Sequence, residues 1–150
     1  MPKLLEALQS CCPRMIYEIS VVPYYDEYLM VRDRSMLDKV FWAFPAYMEA
    51  FKHCKSFVSI NGTHLYGSYG GVLLIAMTQD GNSNIIPVVF VIVESETTKS
   101  CSFFLTNLRR YVTLQEGLLI ISDRSQAIKV ALRADDSGWQ TSRAFHAYCV

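Results

Sequence analysis

The chain has 150 residues, the length of one ordinary domain, and hydrophobic residues make up 51% of it against 19% for charged residues. This composition excludes a solvated, disordered tail, because a chain of this length and apolar content can bury a core. Lysine plus arginine and aspartate plus glutamate both number 14, which removes the basic excess typical of a self-sufficient nucleic-acid-binding domain.

The N-terminal third predicts a short helix, a hairpin and a second helix. Leucines on one face of the first eight residues favour a helix that Pro13 would end, because proline disfavours the helical conformation of the residue before it. Met15 to Val22 alternates loosely, and Tyr28 to Val31 is its candidate hairpin partner across Pro23 to Glu27. After a dense apolar run, Ala46 to Phe51 fits a short helix with a proline at its first position.

Three strand candidates follow: Phe57 to Ile60, Val72 to Met77, and Ile86 to Val93. Asp80-Gly81 lies between the second and third, and Asp-Gly between apolar runs predicts a tight hairpin whose two central residues tolerate positive φ. We therefore expect three consecutive antiparallel strands.

The last third alternates helix and strand. Ser100 to Tyr111 has apolar residues at helical spacing, Leu118 to Ile121 reads as a buried strand ending at Ser122-Asp123, and Gln126 to Leu132 repeats the helical pattern with Ile128, Ala131 and Leu132 inward. Ala144 to Tyr148 is a final apolar segment. The element order predicts an α/β protein of RNase H-like fold, with a mixed sheet whose later connections are right-handed crossovers with parallel pairing.

The cysteines and the termini indicate the compartment. The five cysteines are odd in number and scattered, which favours free thiols over a disulfide framework. The N-terminus lacks the features of a signal peptide, and the longest apolar stretch is too short to cross a bilayer. We expect a soluble intracellular protein.

Several motifs together resemble a known family, the transposase domain of Mutator-like elements (MULE). They are Ile60-Asn61-Gly62-Thr63-His64-Leu65-Tyr66-Gly67, Gln79-Asp80-Gly81-Asn82, Ile92-Val93-Glu94, Ser102-Phe103-Phe104-Leu105, Leu108-Arg109-Arg110, Ile121-Ser122-Asp123-Arg124 and Arg143-Ala144-Phe145-His146-Ala147-Tyr148-Cys149. The resemblance implies an RNase H-like fold, a nuclear protein, and metal-dependent cutting and joining of transposon-end DNA by two aspartates and a glutamate that bind Mg²⁺ or Mn²⁺. It divides the chain into an upstream segment, 1–39, and the N-terminal part of the transposase domain, 40–150, incomplete at its C-terminus.

The resemblance also assigns the site residues. Asp123 matches the second catalytic aspartate and is the expected metal ligand. The family's first aspartate falls on Asn61, which keeps an oxygen ligand without the charge. The third acid is expected beyond Val150, and Cys149 matches the cysteine of a Cys-x-x-His signature whose histidine would also lie further on. With one acid of three, we expect no tight metal binding and no nuclease activity.

Each of these residues has a plainer interpretation. Asn61-Gly62 is also a favoured type I′ turn, and Asp123 before a helix could be an N-cap. Residues His64 and His146 are expected to be surface or packed imidazoles, and Asp80 to Asn84 is expected to form a turn that lacks the residues of a calcium loop. For Arg109-Arg110 we weigh solvation at a helix end against contact with DNA phosphates.

Three functions remain open from the sequence. The first is a truncated, catalytically inactive transposase remnant. The second is a fragment that completes an active site in trans, and the third is a non-catalytic module that binds DNA or protein. Self-association or association with a full-length transposase is expected in each case, with neither a membrane nor a small-molecule substrate as partner.

Overall fold

The structure, a computed structural model, describes residues 2–67, 70–112, 118–122 and 126–133. Within these residues the chain forms helices, a π-helical turn and one mixed sheet. In chain order the elements are α1 (Pro2–Cys11), β1 (Ile16–Asp26), β2 (Leu29–Ala43), α2 (Pro45–Phe51), β3 (Phe57–Leu65), β4 (Gly71–Gln79), β5 (Ile85–Val93), α3 (Thr98–Asn107), the π-helical turn (Leu108–Val112), β6 (Leu119–Ser122) and α4 (Gln126–Arg133).

The six described strands form a single sheet in the order β1-β2-β5-β4-β3-β6. Strands β3, β4 and β5 pair antiparallel in sequence, as predicted, while β6 pairs parallel with β3. A parallel neighbour needs a crossover connection, and the chain between β5 and β6 contains α3 and the π-helical turn. The predicted mixed α/β architecture is confirmed at this level.

The predicted N-terminal hairpin is present, but its predicted connection was wrong: residues 23–26 belong to β1, and Tyr28 lies in the turn. Strands β1 and β2 pair antiparallel and are joined at Glu27 and Tyr28, whose φ angles are 43° and 74°. Positive φ at both central residues is typical of a type I′ turn, whose twist matches that of the strands. Strand β2 also pairs with β5 through its last third, from Lys39 to Ala43. The division between residues 39 and 40 stays a prediction, and β2 runs across it.

The turn between β4 and β5 corrects the predicted hairpin type. Positive φ occurs at Ser83 (65°), and not at the Asp-Gly pair. The loop is held by the Asp80 carboxylate, whose Oδ1 accepts hydrogen bonds from the backbone N–H groups of Asn82 (2.8 Å) and Asn84 (2.9 Å). An aspartate side chain can accept hydrogen bonds from the backbone of its own loop. The loop therefore adopts a turn organised by Asp80 instead of the tight two-residue turn that Asp-Gly predicts.

The main core lies between one face of the sheet and helices α3 and α4. The strand residues that point to this face alternate with partly exposed ones, as in β4, where every second residue is buried. Helix α3 contributes Phe104, and α4 contributes Ile128, Ala131 and Leu132, which are the inward residues predicted for it. The predicted helix of residues 100–111 corresponds to α3 and the π-helical turn that continues it.

A smaller core covers part of the opposite face. Helix α1 packs Leu5 there against Val40 and Trp42 of β2, and the Trp42 ring stacks on Phe90 with centroids 5.5 Å apart. Both faces of the sheet are therefore covered where the end of β2 pairs with β5. This packing explains the continuous apolar run that ends β2, since a strand covered on both faces loses the polar alternation of a half-exposed one.

Candidate functional site

The candidate site lies where β3 and β6 run side by side. The parallel register pairs Phe57 with Leu119 and ends at the pair formed by Ile60 and Ser122. Asn61 is the next residue of β3 and continues the strand. Asp123 lies outside the described residues, as do His146 and Cys149.

Asn61 and Gly62 lie within a strand, which excludes the turn interpretation of this pair. In the antiparallel register with β4, Asn61 pairs with Ile75 and Gly62 pairs with Leu74. The strand continues as far as Leu65, so the Asn-Gly pair is followed by more sheet. Local turn preference is therefore overruled by pairing with β4.

The Asn61 side chain is exposed on the face opposite the main core. Its neighbour Ile60 is buried in that core, and consecutive strand residues point to opposite faces. Asn61 Nδ2 donates a hydrogen bond to Ser59 Oγ at 3.5 Å, along the same face of β3. Thr63 follows on this face and is exposed. The described side chains that could bind a ligand on this face of β3 are therefore the neutral amide of Asn61 and the hydroxyl groups of Ser59 and Thr63.

This donor set does not fit a divalent metal ion. Mg²⁺ and Ca²⁺ sites use carboxylates to offset the charge of the ion, and the same-face neighbours of Asn61 on β3 are uncharged. Among the described residues, no group of three or more histidine, cysteine, aspartate or glutamate side chains is arranged to hold a metal. No step of a metal-dependent reaction follows from these residues.

Gly62 marks a close approach on the opposite side of β3. A Cβ placed there would lie 3.2 Å from Leu74 Cδ2 and 3.6 Å from Glu96 Oε2. Glu96 stands between β5 and α3 and belongs to none of the sequence motifs. Its only sequence signal is an acidic residue shortly after a strand end. Because Gly62 points away from the face that carries Asn61, this carboxylate lies on the other side of the sheet from the Asn61 amide.

Two further candidates from the sequence, His64 and the Arg109-Arg110 pair, lie in the described part of the chain. His64 is exposed on β3, in agreement with a surface imidazole. Arg110 lies with its guanidinium carbon 5.1 Å from the centroid of the Tyr111 ring, and the Tyr111 hydroxyl donates a hydrogen bond to the Glu18 carboxylate. This hydrogen bond is the main cause that raises the pKa of Tyr111. The π-helical turn is thereby tied to β1.

The described cysteines are free thiols, as the sequence predicted. Burial, and secondly the Glu96 carboxylate, raise the pKa of the Cys101 thiol to about 12. Burial also raises the pKa of Cys54, whose Sγ donates to the Ala50 carbonyl at 3.1 Å. Neither environment activates a thiolate, so these two side chains belong to the packing of the domain.

Comparison with known proteins places the chain in a family. No curated protein and no solved structure shows significant similarity to it. No described helix has the length and apolar character needed to span a membrane. The profile of the MULE transposase domain matches residues 57–149, a range that begins at the first residue of β3 and includes both Asn61 and Asp123. Since this range is more than half of the 150 residues, the chain belongs to the MULE transposase domain family.

Proposed function

We propose that this chain is a transposase domain of RNase H-like fold that does not cleave DNA. The topology supports the fold: the consecutive antiparallel strands β3, β4 and β5 form the row β5-β4-β3, and β6 joins it beside β3 in parallel. This is the arrangement expected from the element order of an RNase H-like sheet, with β1 and β2 added at the far edge.

The observation that carries the proposal is the position of Asn61 at the junction of β3 and β6. The described register ends at the pair Ile60 and Ser122, and in the sequence Asn61 and Asp123 are the residues that follow these two. In a nuclease of this type, acidic side chains at the ends of adjacent central strands hold the divalent ions. Here one of the two positions carries an amide.

The loss of that charge is large on the scale of metal binding. A pair of unit charges at about 4 Å interacts by about 4 kcal/mol at an effective dielectric constant near 20, and a divalent ion roughly doubles this. Each ~1.4 kcal/mol is a factor of ten in affinity. Replacing aspartate by Asn61 therefore removes most of the affinity for the metal, and with it the turnover.

Membership in a transposase family implies interaction with DNA in general. We propose the ends of a transposon as the specific DNA, Mg²⁺ or Mn²⁺ as the ion that the active relatives use, and the nucleus as the compartment. Because the net charge of the chain is zero, any DNA contact must come from a local group of basic residues or from a partner.

The test restores the missing charge. Thermal unfolding is measured with and without Mn²⁺ for the wild type, for Asn61→Asp and for Asn61→Ser, which is a control of similar polarity without charge. Ligands that bind only the folded state raise its stability by mass action. We expect a Mn²⁺-dependent rise in Tm for Asn61→Asp alone, and its loss when Asp123→Ala is added to that variant.

Two results would contradict the proposal. Equal Mn²⁺ responses in Asn61→Asp and Asn61→Ser would show that position 61 is not part of a metal site. Manganese-dependent cleavage of DNA by the wild type, lost in Asp123→Ala, would show that the domain is an active nuclease despite Asn61.

A further inference from the structure

Strand β1 is an edge strand of the sheet that the described residues form. It is the terminal strand in the described order, and its only described strand partner is β2. All of its residues from Ile16 to Asp26 are paired in unbroken succession, because the register irregularities after Ser20 and Pro23 come from extra residues on β2. A long, regular edge strand presents unpaired backbone groups to which another strand can add.

This edge carries an exposed apolar row. Tyr17, Ile19, Val21 and Tyr25 alternate along β1 and are exposed by 40%, 42%, 56% and 59%. We call these four residues the β1 stripe. They point to the face on which α1 packs, since Tyr17 pairs with Trp42 in the register with β2, yet they lie beyond the part that α1 covers. Apolar residues in such a row mark an interaction surface.

We propose that β1 pairs antiparallel with β1 of a second copy of this chain, with Val21 on the twofold axis. Tyr17 and Tyr25 lie four residues on either side of Val21, so this register sets Tyr17 opposite the partner's Tyr25. It also sets Ile19 opposite the partner's Pro23. Both stripes then form one continuous apolar row on a single face of a sheet extended across two chains.

The charges along the edge favour this antiparallel arrangement. Arg14 lies exposed just before β1, whereas Asp26 and Glu27 lie exposed at its other end, and residues 19–25 carry no charge. Antiparallel pairing brings the basic end of one copy to the acidic end of the other. Parallel pairing would instead bring like charges together. Charge complementarity therefore selects both the direction of pairing and a second copy as the partner.

The available area sets the strength of the association. A fully buried aromatic side chain covers about 150–250 Å², so the partly exposed stripe offers about 400 Å² per copy. A standard interface needs about 800 Å² per partner. Exposed Tyr28, Leu29 and Met30 at the hairpin tip adjoin the stripe and extend it. Pro23 also removes one backbone donor per copy. The dimer is thus reversible and dependent on concentration.

Sedimentation velocity over a range of protein concentrations tests the association. We expect the wild type to pass from monomer to dimer as concentration rises. Val21→Lys raises the concentration for half-dimerisation about tenfold or more, because two ammonium groups would face each other across the axis. The control Ile85→Lys changes a residue on β5, away from the β1 edge, that is exposed by 65% against 56% for Val21. It leaves the association unchanged.

Cysteine cross-linking tests the register. In a Cys11→Ser background, Val21→Cys is expected to form a disulfide-linked dimer under mild oxidation, since directly opposed strand residues have Cα atoms about 4.5–5.5 Å apart. Tyr25→Cys alone should not cross-link, because its opposite residue is Tyr17. An equimolar mixture of Tyr17→Cys and Tyr25→Cys should cross-link between chains.

Each contrary result overturns the proposal. A monomer at every concentration excludes the second copy. If the β1 amides that face away from β2 are nevertheless protected from hydrogen exchange, another part of the same chain covers the edge. A dimer that survives Val21→Lys uses a different surface. A cross-link through Tyr25→Cys without one through Val21→Cys excludes the proposed axis.

Discussion

Gly71 is the position where a single added methyl group should destabilise the fold most directly. It begins β4, and a Cβ placed on it would lie 2.6 Å from the backbone carbonyl oxygen of Val93. Ordinary carbon–oxygen contacts of this kind are longer than 3 Å. The obstacle is backbone in a paired strand and cannot swing aside as a flexible side chain would.

The magnitude follows from two opposing terms. Relieving the overlap requires β4 and β5 to shift within a packed core, and overpacking of this kind costs about 1–3 kcal/mol. Replacing glycine by alanine reduces the entropy of the unfolded chain, which returns about 0.4–1 kcal/mol. We expect Gly71→Ala to lower the free energy of unfolding by about 1–2 kcal/mol, and Tm by about 2–8 °C for a domain of this size.

Urea denaturation is the appropriate assay, with Gly81→Ala as the matched control. A Cβ on Gly81 would meet nothing within 4 Å, and its φ is not positive, so the same substitution there should be neutral or slightly stabilising. An unchanged urea midpoint for Gly71→Ala, with an unchanged m-value, would refute the reasoning. It would mean that the two strands lie further apart than the structure has them.

Two other predictions concern titratable groups. The hydrogen bond from the Asn84 side chain, followed by backbone hydrogen bonds, holds the pKa of Asp80 below its ordinary value; its stabilising effect is present above the unfolded pKa of about 3.9 and is lost as pH falls through the folded pKa. The Tm of the wild type should therefore fall more steeply below about pH 4 than that of Asp80→Asn, and parallel Tm profiles would contradict this. The raised pKa of Cys101, about 12, leaves roughly one thiolate in ten thousand at pH 8. A thiol reagent followed by peptide mapping should label exposed Cys11 in the native protein and Cys101 only after unfolding, and equal labelling rates would count against the buried environment.

The central part of the fold could be predicted from local sequence. The three strands from Phe57 to Val93 follow from apolar alternation separated by turn residues, and α4 follows from the spacing of Ile128, Ala131 and Leu132. Apolar periodicity indicates which residues of a helix or strand face a core. It can be recognised without knowing which other elements pack against that face. The strand ends were less predictable: β3 continues to Leu65 through exposed residues that carry no apolar signal.

The assignment of Asn61 as a site residue came from the family resemblance, because the local pattern alone favoured a turn. Ser122, the last described residue before Asp123, was predicted as a strand end, and the structure adds that this strand lies beside β3. Glu96 had no distinguishing pattern. Its proximity to Gly62 depends on the path of the segment between β5 and α3, which periodicity cannot report.

The sequence by itself determined that the chain forms a folded domain, where most of its helices and strands lie, and the family to which it belongs. Only the tertiary structure decided which of the described strands are neighbours: β2 beside β5, β6 beside β3, and β1 at an edge. Strand pairing between distant segments depends on backbone hydrogen bonds, and every residue type except proline has both the N–H donor and the C=O acceptor for them. For that reason the identity of a residue such as Asn61 does not reveal which residue it pairs with. The structure shows that Asn61 pairs with Ile75 of β4 and follows the last residue of β3 that pairs with β6.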